Sequence, residues 1–482
     1  MRIILFLLLF LAVPAYAADA VIAASDVSLT ADGRRVLRCT YEQCVQRALQ
    51  RSPLIAAANK GLELYEAMQD EARSTQYPKV EVGVFGSAIP ALKQWTDPDG
   101  AKHDYVATNP GDYNLSGDWR PLVLSQLTVT QPLFTFGKIA ALKRLAAQGV
   151  EIGAATNKIA ADEMRYQLAR AWWGLVATAQ MDDMIKDGKK RFLEERDRQE
   201  HMRDVADEKF NQNDLMKINI YYADFEDKVR AAERGRQQAM DGLRMAMAEA
   251  TDVDVEPDFA AFRPLPFTTL PLAAYEALAL ANSPKLLAFR HGVAARVEQV
   301  QLARNNTLPD VGLVVRVAGT YAGTQSGTVT GSLGAIPGNG IDFGGGIGLR
   351  WSLDIGRLLA QLDQAKVQAD QASLAEKGEI EKTRMDVRQL YREMIDWRAM
   401  VDVHEKAKTS AQGWLNATMQ SYDDGFENDY NEVLRAIEAY YRRRIVWTDA
   451  IYNYNVAVAA LSRAVGTDVT LVKPSADSPP AP

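Results

Sequence analysis

The chain says nearly the same thing twice. The stretch opening Ala48-Leu49-Gln50-Arg51-Ser52-Pro53 and reaching Tyr77-Pro78 recurs as Leu280-Ala281-Asn282-Ser283-Pro284 reaching Leu308-Pro309. Pro53 to Pro284 and Pro78 to Pro309 share an offset of 231, so the copies run about 25 residues without a gap. Each copy then presents an alternating apolar segment ending in a Gly-basic pair, VTQPLFTFGK at 129–138 and LRWSLDIGR at 349–357, followed by a long charged helical run. Internal self-similarity constrains architecture before any local pattern does. A duplicated unit of strands and long helices is a building plan, not a catalytic site.

The first 17 residues have the form of a secretory signal: Met1-Arg2, an apolar run from Ile3 to Val13, and Ala15-Tyr16-Ala17 as cleavage site. Read as an anchor, its roughly 11 apolar residues fall short of the roughly 20 a spanning helix needs. No other run approaches that length, so membrane insertion has to use strands. No cysteine directly follows the signal, which argues against a lipid-anchored amino terminus. Lys and Arg number 55 against 62 Asp and Glu, a formal charge of −7 that loss of Arg2 would take to −8. That balance does not suggest nucleic-acid binding. Cys39 and Cys44 are the only cysteines. In an oxidising periplasm they suit a short-loop disulfide, and two unpaired thiols beside a helix start are the alternative. Two cysteines without a His or carboxylate cluster do not make a zinc site.

The periodicities predict a segment at 18–40, a first unit over 41–252, a linker at 253–271, a second unit over 272–467 and a disordered tail at 468–482. In the first unit Val45, Leu49, Ile55, Leu62 and Leu64 predict a helix from about Tyr41 to Thr75, stopped by Pro78. Val80, Val82 and Val84 alternate with Glu81, Gly83 and Phe85, and the chain returns through Leu122 to Phe134 after a loop of about 33 residues. This is a β-hairpin over 78–134. The second, over 309–354, is cleaner: Ile341, Phe343, Ile347, Leu349, Trp351 and Leu353 alternate with Asp342, Gly344, Gly346, Gly348, Arg350 and Ser352. One face is apolar and the other small or charged, as a membrane barrel strand requires. Four strands cannot close a barrel around a pore, and open edges cannot face lipid. The barrel is therefore shared between subunits.

The helices after each hairpin are long. Gly137 to Asn213 is 76 residues and Gly356 to Gly425 is 69, which at 1.5 Å per residue reach roughly 100 to 115 Å. Val387, Leu390, Met394, Trp397, Val401 and His404 follow 3-4-3-4-3 spacing, and Leu168, Trp172, Leu175 and Ala179 follow 4-3-4. Those are coiled-coil seams. Helices at 41–75 and 214–251 sum to nearly the length of the first long helix, and 272–306 with 430–466 to nearly that of the second. Each unit thus rises from a midpoint to the strands, descends to a far tip and climbs back. Asn211-Gln212-Asn213-Asp214 and Asp423-Asp424-Gly425-Phe426 interrupt the pattern at that tip.

The duplicated Ser-Pro, Gln131-Pro132-Leu133-Phe134 with Gly137-Lys138, Lys209-Phe210-Asn211, and Ser421-Tyr422 through Gly425 followed by Glu432-Val433-Leu434 resemble the TolC-like outer-membrane efflux protein family from about Tyr41 to Thr467. The resemblance implies a mainly α fold with a membrane β-barrel portion. Three identical subunits would each give four strands to one barrel and their helices to a periplasmic tunnel. It implies an outer-membrane channel of a Gram-negative bacterium, the exit duct of a tripartite efflux or type I secretion system. Its partners would be outer-membrane lipid, a periplasmic adaptor (membrane fusion protein) and an inner-membrane transporter. The tips depart from the family, which carries a Gly followed by small or apolar residues there. This chain has Asn213-Asp214 and Phe426-Glu427-Asn428-Asp429. Glu432 falls on an acidic position of the family's closed entrance, Arg435 falls on the next, and Asn219 replaces a first-repeat acid. Tyr422 matches a family tyrosine near that entrance.

No enzyme motif is present: the four histidines are scattered, and HExxH, GxSxG and phosphate-loop patterns are missing. Catalytic, cofactor and metal residues are accordingly not assigned. The mixed-charge run from Lys186 to Lys209 reads first as a solvated helix face, Trp172-Trp173 as interhelical packing, and Trp95 with Trp119 as loop contacts or a membrane-surface belt. Tyr422, Asp423, Asp424, Gly425, Glu427, Asp429, Glu432 and Arg435, with Asn213 and Asp214, are the periplasmic gate and tip candidates. In three copies five of these carboxylates would favour cations. A periplasmic coiled-coil adaptor is the alternative function, although adaptors show one helical hairpin rather than two full copies. A secreted enzyme on a helical scaffold is a third.

Overall fold

The computed structural model describes residues 27–29, 35–92, 94–100, 102–104, 115–206, 210–258, 262–323, 329–331, 334–336, 339–424 and 430–472. In chain order these form β1 (Val27–Leu29), β2 (Arg35–Cys39), α1 (Tyr41–Arg51), α2 (Pro53–Ser74), β3 (Lys79–Leu92), β4 (Gln94–Thr96), β5 (Lys102–Asp104) and β6 (Leu115–Phe134). Then come α3 (Lys138–Asp204), α4 (Gln212–Met247), β7 (Val253–Pro257), α5 (Leu272–Asn282), α6 (Pro284–Asn305), β8 (Asp310–Tyr321), β9 (Val329–Gly331) and β10 (Gly334–Ile336). β11 (Gly340–Arg350), α7 (Ile355–Asp423) and α8 (Tyr430–Val465) complete the order. Two compact units result, one of residues 1–53, 163–267 and 393–460, the other of 54–162, 268–392 and 461–482.

The duplication survives at the level of element lengths. α1 and α5 are 11 residues each, α2 and α6 are 22, and α4 and α8 are 36. α3 has 67 residues and α7 has 69. The single helix expected over 41–75 is divided, because Pro53 bars the α conformation at Ser52, which sits at φ −62°, ψ 127°. Ser283 before Pro284 does the same at φ −58°, ψ 116°. In each case the serine N–H still bonds to the carbonyl four residues back, Ala48 or Ala279, at 2.9 Å. The proline then starts the next helix, where its missing N–H costs nothing.

In the first unit a sheet of order β1-β2-β7 was not legible in the sequence. Its parallel pairing Arg35↔Val253 joins the segment read as a featureless amino terminus to the one read as a linker. Strands therefore also form outside the two hairpins, whose four long strands pair in one sheet. β2 is five residues with consecutive buried Val36 and Leu37, so it offers no period of two, and its partner lies far along the chain. Arg35–Asp252 (3.1 Å) and Arg38–Glu256 (2.8 Å) pair across its exposed side. Cys39 and Cys44 are bonded as a disulfide, joining the end of β2 to α1. Thr40 caps α1 in a reciprocal capping box with Gln43. Arg51 (2.7 Å) and Arg47 (3.7 Å) converge on the largely buried Glu249, holding α1 against the residues that end α4.

The second unit holds one antiparallel sheet of order β11-β8-β6-β3. The two hairpins meet at β6 and β8, so one strand from each repeat forms the centre and one forms each edge. β6 begins at Leu115 rather than Leu122 and carries Pro121 within it. β8 pairs with β6 only from Val123 onward, so Pro121 has β3 alone beside it, opposite Ala88. β11 ends at Arg350, short of the expected Leu353, and Trp351 instead donates from Nε1 to the Thr307 carbonyl at 3.0 Å. Beneath the sheet, Arg144–Glu298 (2.9 Å), Lys285–Glu379 (2.7 Å) and Arg388–Glu276 (2.6 Å) link neighbouring helices. Tyr65 lies where α3 has Gly149 and Gly153, at distances that leave no room for a side chain at 153.

The seams read from 3-4 spacing are buried where it matters: Leu168, Trp172 and Leu175 on α3 and Val387, Met394 and Val401 on α7 are 2% exposed or less. Trp172 packs near Tyr41, ring centroids 6.4 Å apart. α3 stops at Asp204, earlier than the turn expected at 211–214. Ala206 takes a left-handed φ of 51°, which ends the helix. Asn211 is extended and caps α4 instead, accepting from the Asn213 N–H at 2.9 Å.

Candidate functional site

Two places can carry function, and each is built within one unit. The first is the end of the helices where α4 and α8 begin. A core of residues from α3, α4, α7 and α8 lies behind it, including Phe192, Ile218, Phe225, Leu415, Leu434 and Tyr441. Phe225 sits 5.4 Å from Phe192 and 5.7 Å from Tyr441 by ring centroid, and Gly188 leaves the space its ring fills. Each fully buried Leu or Phe contributes about 1.5–3 kcal/mol. The core fixes four helix ends to one another, so the polar groups around it are held in place.

Asp214 is buried, and Lys217 lies 3.4 Å from its carboxylate. The same Lys217 ammonium donates to the Asn431 side-chain oxygen, tying the first turn of α4 to that of α8. Asn213 is exposed at the start of α4. Glu432, half-buried in the first turn of α8, is 4.0 Å from the exposed Arg435. Tyr422, in the last turn of α7, has the Arg198 guanidinium 5.2 Å from its ring centroid. Asp424 is exposed and its N–H closes the helix end onto the Gln420 carbonyl at 2.9 Å. Asp423 is the last residue of α7, and Gly425, Glu427 and Asp429 lie outside the described residues.

Further into the core Tyr441 donates to Asp187 at 2.7 Å, and Arg191 reaches the same carboxylate at 3.2 Å. Burial, then the bond to Asp187, holds the Tyr441 hydroxyl well above the ordinary tyrosine range. Sequence reading missed Lys217, Asn431, Arg198 and this pair. The i,i+3 spacing of Asp214 and Lys217 was visible. Nothing local signals Asp187 and Tyr441, which are 254 residues apart. The charged run from Lys186 is partly the solvated face it was read as, with Lys190–Glu194 at 3.7 Å, but Phe192 and Gln199 within it are buried.

The second place is the four-stranded sheet. Its registers align Val82, Leu127, Val317 and Phe343 in one row and Val80, Val129 and Val315 in the next. On that face Val82, Ile341 and Phe343 are 72%, 81% and 77% exposed in the isolated chain. The opposite face carries the rows Glu81-Thr128-Arg316-Gly344 and Gly83-Gln126-Ala318-Asp342. An exposed apolar face this continuous, backed by a polar one, suits lipid on one side and water on the other. No helix among the described residues is long and apolar enough to cross a membrane.

The sequence pattern of the family described as Outer membrane efflux protein matches residues 277–467, which take in α6, β8–β11, α7 and α8. The alkaline protease secretion protein AprF of Pseudomonas aeruginosa is 22% identical over 358 residues, covering 73% of this chain and 71% of that protein. The CmeC outer membrane channel of Campylobacter jejuni superposes with a TM-score of 0.72 at 13% identity, over 90% of this chain and 87% of that one. The chain is thus similar to outer-membrane efflux proteins in sequence pattern over 277–467 and to outer-membrane channels in fold over most of its length. The outer membrane protein VceC of Vibrio cholerae gives 0.69 at 16% identity, over 89% and 96%. At these identities the structural likeness is one of fold: mainly α, duplicated, with a membrane sheet. In this sheet the apolar face holds the row of Val82 and Phe343, and the polar face holds the row of Arg316 and Gly344.

Proposed function

We propose that this protein is the exit duct of a tripartite efflux or type I secretion system, a passive conduit gated where α4 and α8 begin. The observation that carries this is the sheet β11-β8-β6-β3, which has one apolar exposed face and, in a single chain, two unpaired edges. Unpaired backbone groups cannot remain in lipid. Three copies of the four-stranded sheet would supply 12 strands and leave no edge. The unit repeated over 41–252 and 272–467 then contributes one hairpin per copy. A periplasmic adaptor and an inner-membrane transporter are the partners such a duct requires. The match to the outer membrane efflux protein pattern over 277–467 and the likeness to AprF, whose name is that of a secretion protein, support this reading.

Membrane fractionation tests it. The protein is expected in the outer membrane, extracted by detergent as a trimer that conducts ions in planar bilayers. Recovery as a soluble periplasmic monomer would overturn the duct and favour an adaptor.

A further inference from the structure

On the polar face of the sheet most charges are already matched. Glu81 has Lys79 at 2.5 Å, Asp310 has Lys138 at 2.8 Å, and Asp354, just beyond β11, has Arg357 at 2.8 Å. Arg316, near the middle of β8, is different. It is exposed, and among the described residues it makes no ion pair or hydrogen bond. Its neighbours across the sheet are Thr128 on β6 and Gly344 on β11, both uncharged. A side chain built at Gly344 would meet nothing within 4 Å, so the space in front of the guanidinium is open. Glu81, in the same row, is two strands away, about 10 Å at ordinary strand spacing. Asp342 is one row along, opposite Ala318, and forms no bridge to Arg316.

We infer that Arg316 is an anion-binding group of the water-filled lumen, where three copies form a ring that takes polyvalent anions such as multiply phosphorylated or carboxylated solutes. The inference rests on the duct reading, which supplies the trimer and puts the polar face inward. A 12-stranded barrel with strands about 4.8 Å apart and tilted about 40° has a backbone diameter of about 24 Å. Three arginines extending into it from equivalent positions surround a space that a compact polyanion can fill. Arginine's planar fork of donors matches phosphate and carboxylate oxygens. Low-dielectric walls around a single sign of charge raise the local concentration of the opposite ion. Asp342, one row away, opposes the effect.

The test uses full-length trimers in planar bilayers, with inositol hexakisphosphate added to the barrel side. Reversible block is expected, weakening as salt rises. Arg316→Gln should raise the half-blocking concentration about tenfold or more, Arg316→Lys should keep most of the block, and Asp342→Asn should strengthen it. Trimers that conduct but are not blocked, or are blocked equally with Arg316→Gln, overturn the ring and leave the duct standing. Trimers that insert and carry no current overturn both.

Discussion

Tyr441 on α8 donates its hydroxyl proton to Asp187 on α3 across 2.7 Å, inside an apolar core. The carboxylate, itself partly exposed, also meets Arg191, so the buried tyrosine joins a charged network at the edge of the core rather than adding an isolated bond. Tyr441→Phe is expected to lower stability by about 1.5–3 kcal/mol, the range for hydrogen bonds to charged groups. The effect also carries a pH signature. With the hydroxyl pKa raised by burial, the folded state keeps a proton that the unfolded chain releases near pH 10. The stabilisation is present below that pH and is lost as pH rises through the folded value. Thermal midpoints from pH 8 to 11 should fall more steeply for the wild type than for Tyr441→Phe, and parallel curves would count against the network.

Lys217 holds the first turns of α4 and α8 together through Asp214 and Asn431. Lys217→Met removes the tie and leaves a buried carboxylate without its cation. If these helix starts are the gate, single-channel recordings should show a higher open probability with an unchanged fully open conductance. An unchanged open probability would assign Lys217 to packing alone.

The acidic cluster on either side of the α7–α8 turn is expected to bias conduction. Replacing Asp423, Asp424, Glu427, Asp429 and Glu432 with their amides should move the reversal potential in a salt gradient toward that of a non-selective pore. Retention of full cation preference would show that selectivity arises elsewhere.

Helices α4 and α8 end alike, with Ala248 at φ 52° and Gly466 at φ 79°. A Cβ at 466 would lie 2.4 Å from the Asn282 carbonyl oxygen, next to the second Ser-Pro. Gly466→Ala should therefore cost more than the 1–2 kcal/mol or so of a left-handed alanine. Ala248→Gly should gain up to about 1 kcal/mol for the same reason. Opposite shifts in thermal midpoint are the expected result, and a neutral Gly466→Ala would mean that the contact relaxes freely.

What the sequence made legible follows from range. The Ser-Pro pairs, the alternation around Val82 and Phe343 and the 3-4 seams around Leu168 and Val387 are local periodicities, each with one physical reading. The division of 41–75 at Ser52 was equally local, and Pro53 announced it. β2 and β7 could not be read, because five-residue strands with consecutive buried residues show no period, and Arg35 meets Val253 only after the chain has travelled through most of the first repeat. The starts of α4 and α8 fall near where the helical pattern was interrupted, but α3 ends about two turns early and the bonds there were not legible. Lys217 with Asn431 and Tyr441 with Asp187 depend on helix rotation, which composition does not encode.

The polar face of β11 is bare at Gly344, Gly346 and Gly348, where an added side chain would touch nothing within 4 Å. Bulk introduced there would fill open space on that face without disturbing a packed neighbour in the chain. The bulk carried on that face of the sheet is thus decoupled from the packing of the chain that forms it. Evolution or engineering can reset the chemistry of that face by point substitution, with no compensating change elsewhere in the chain.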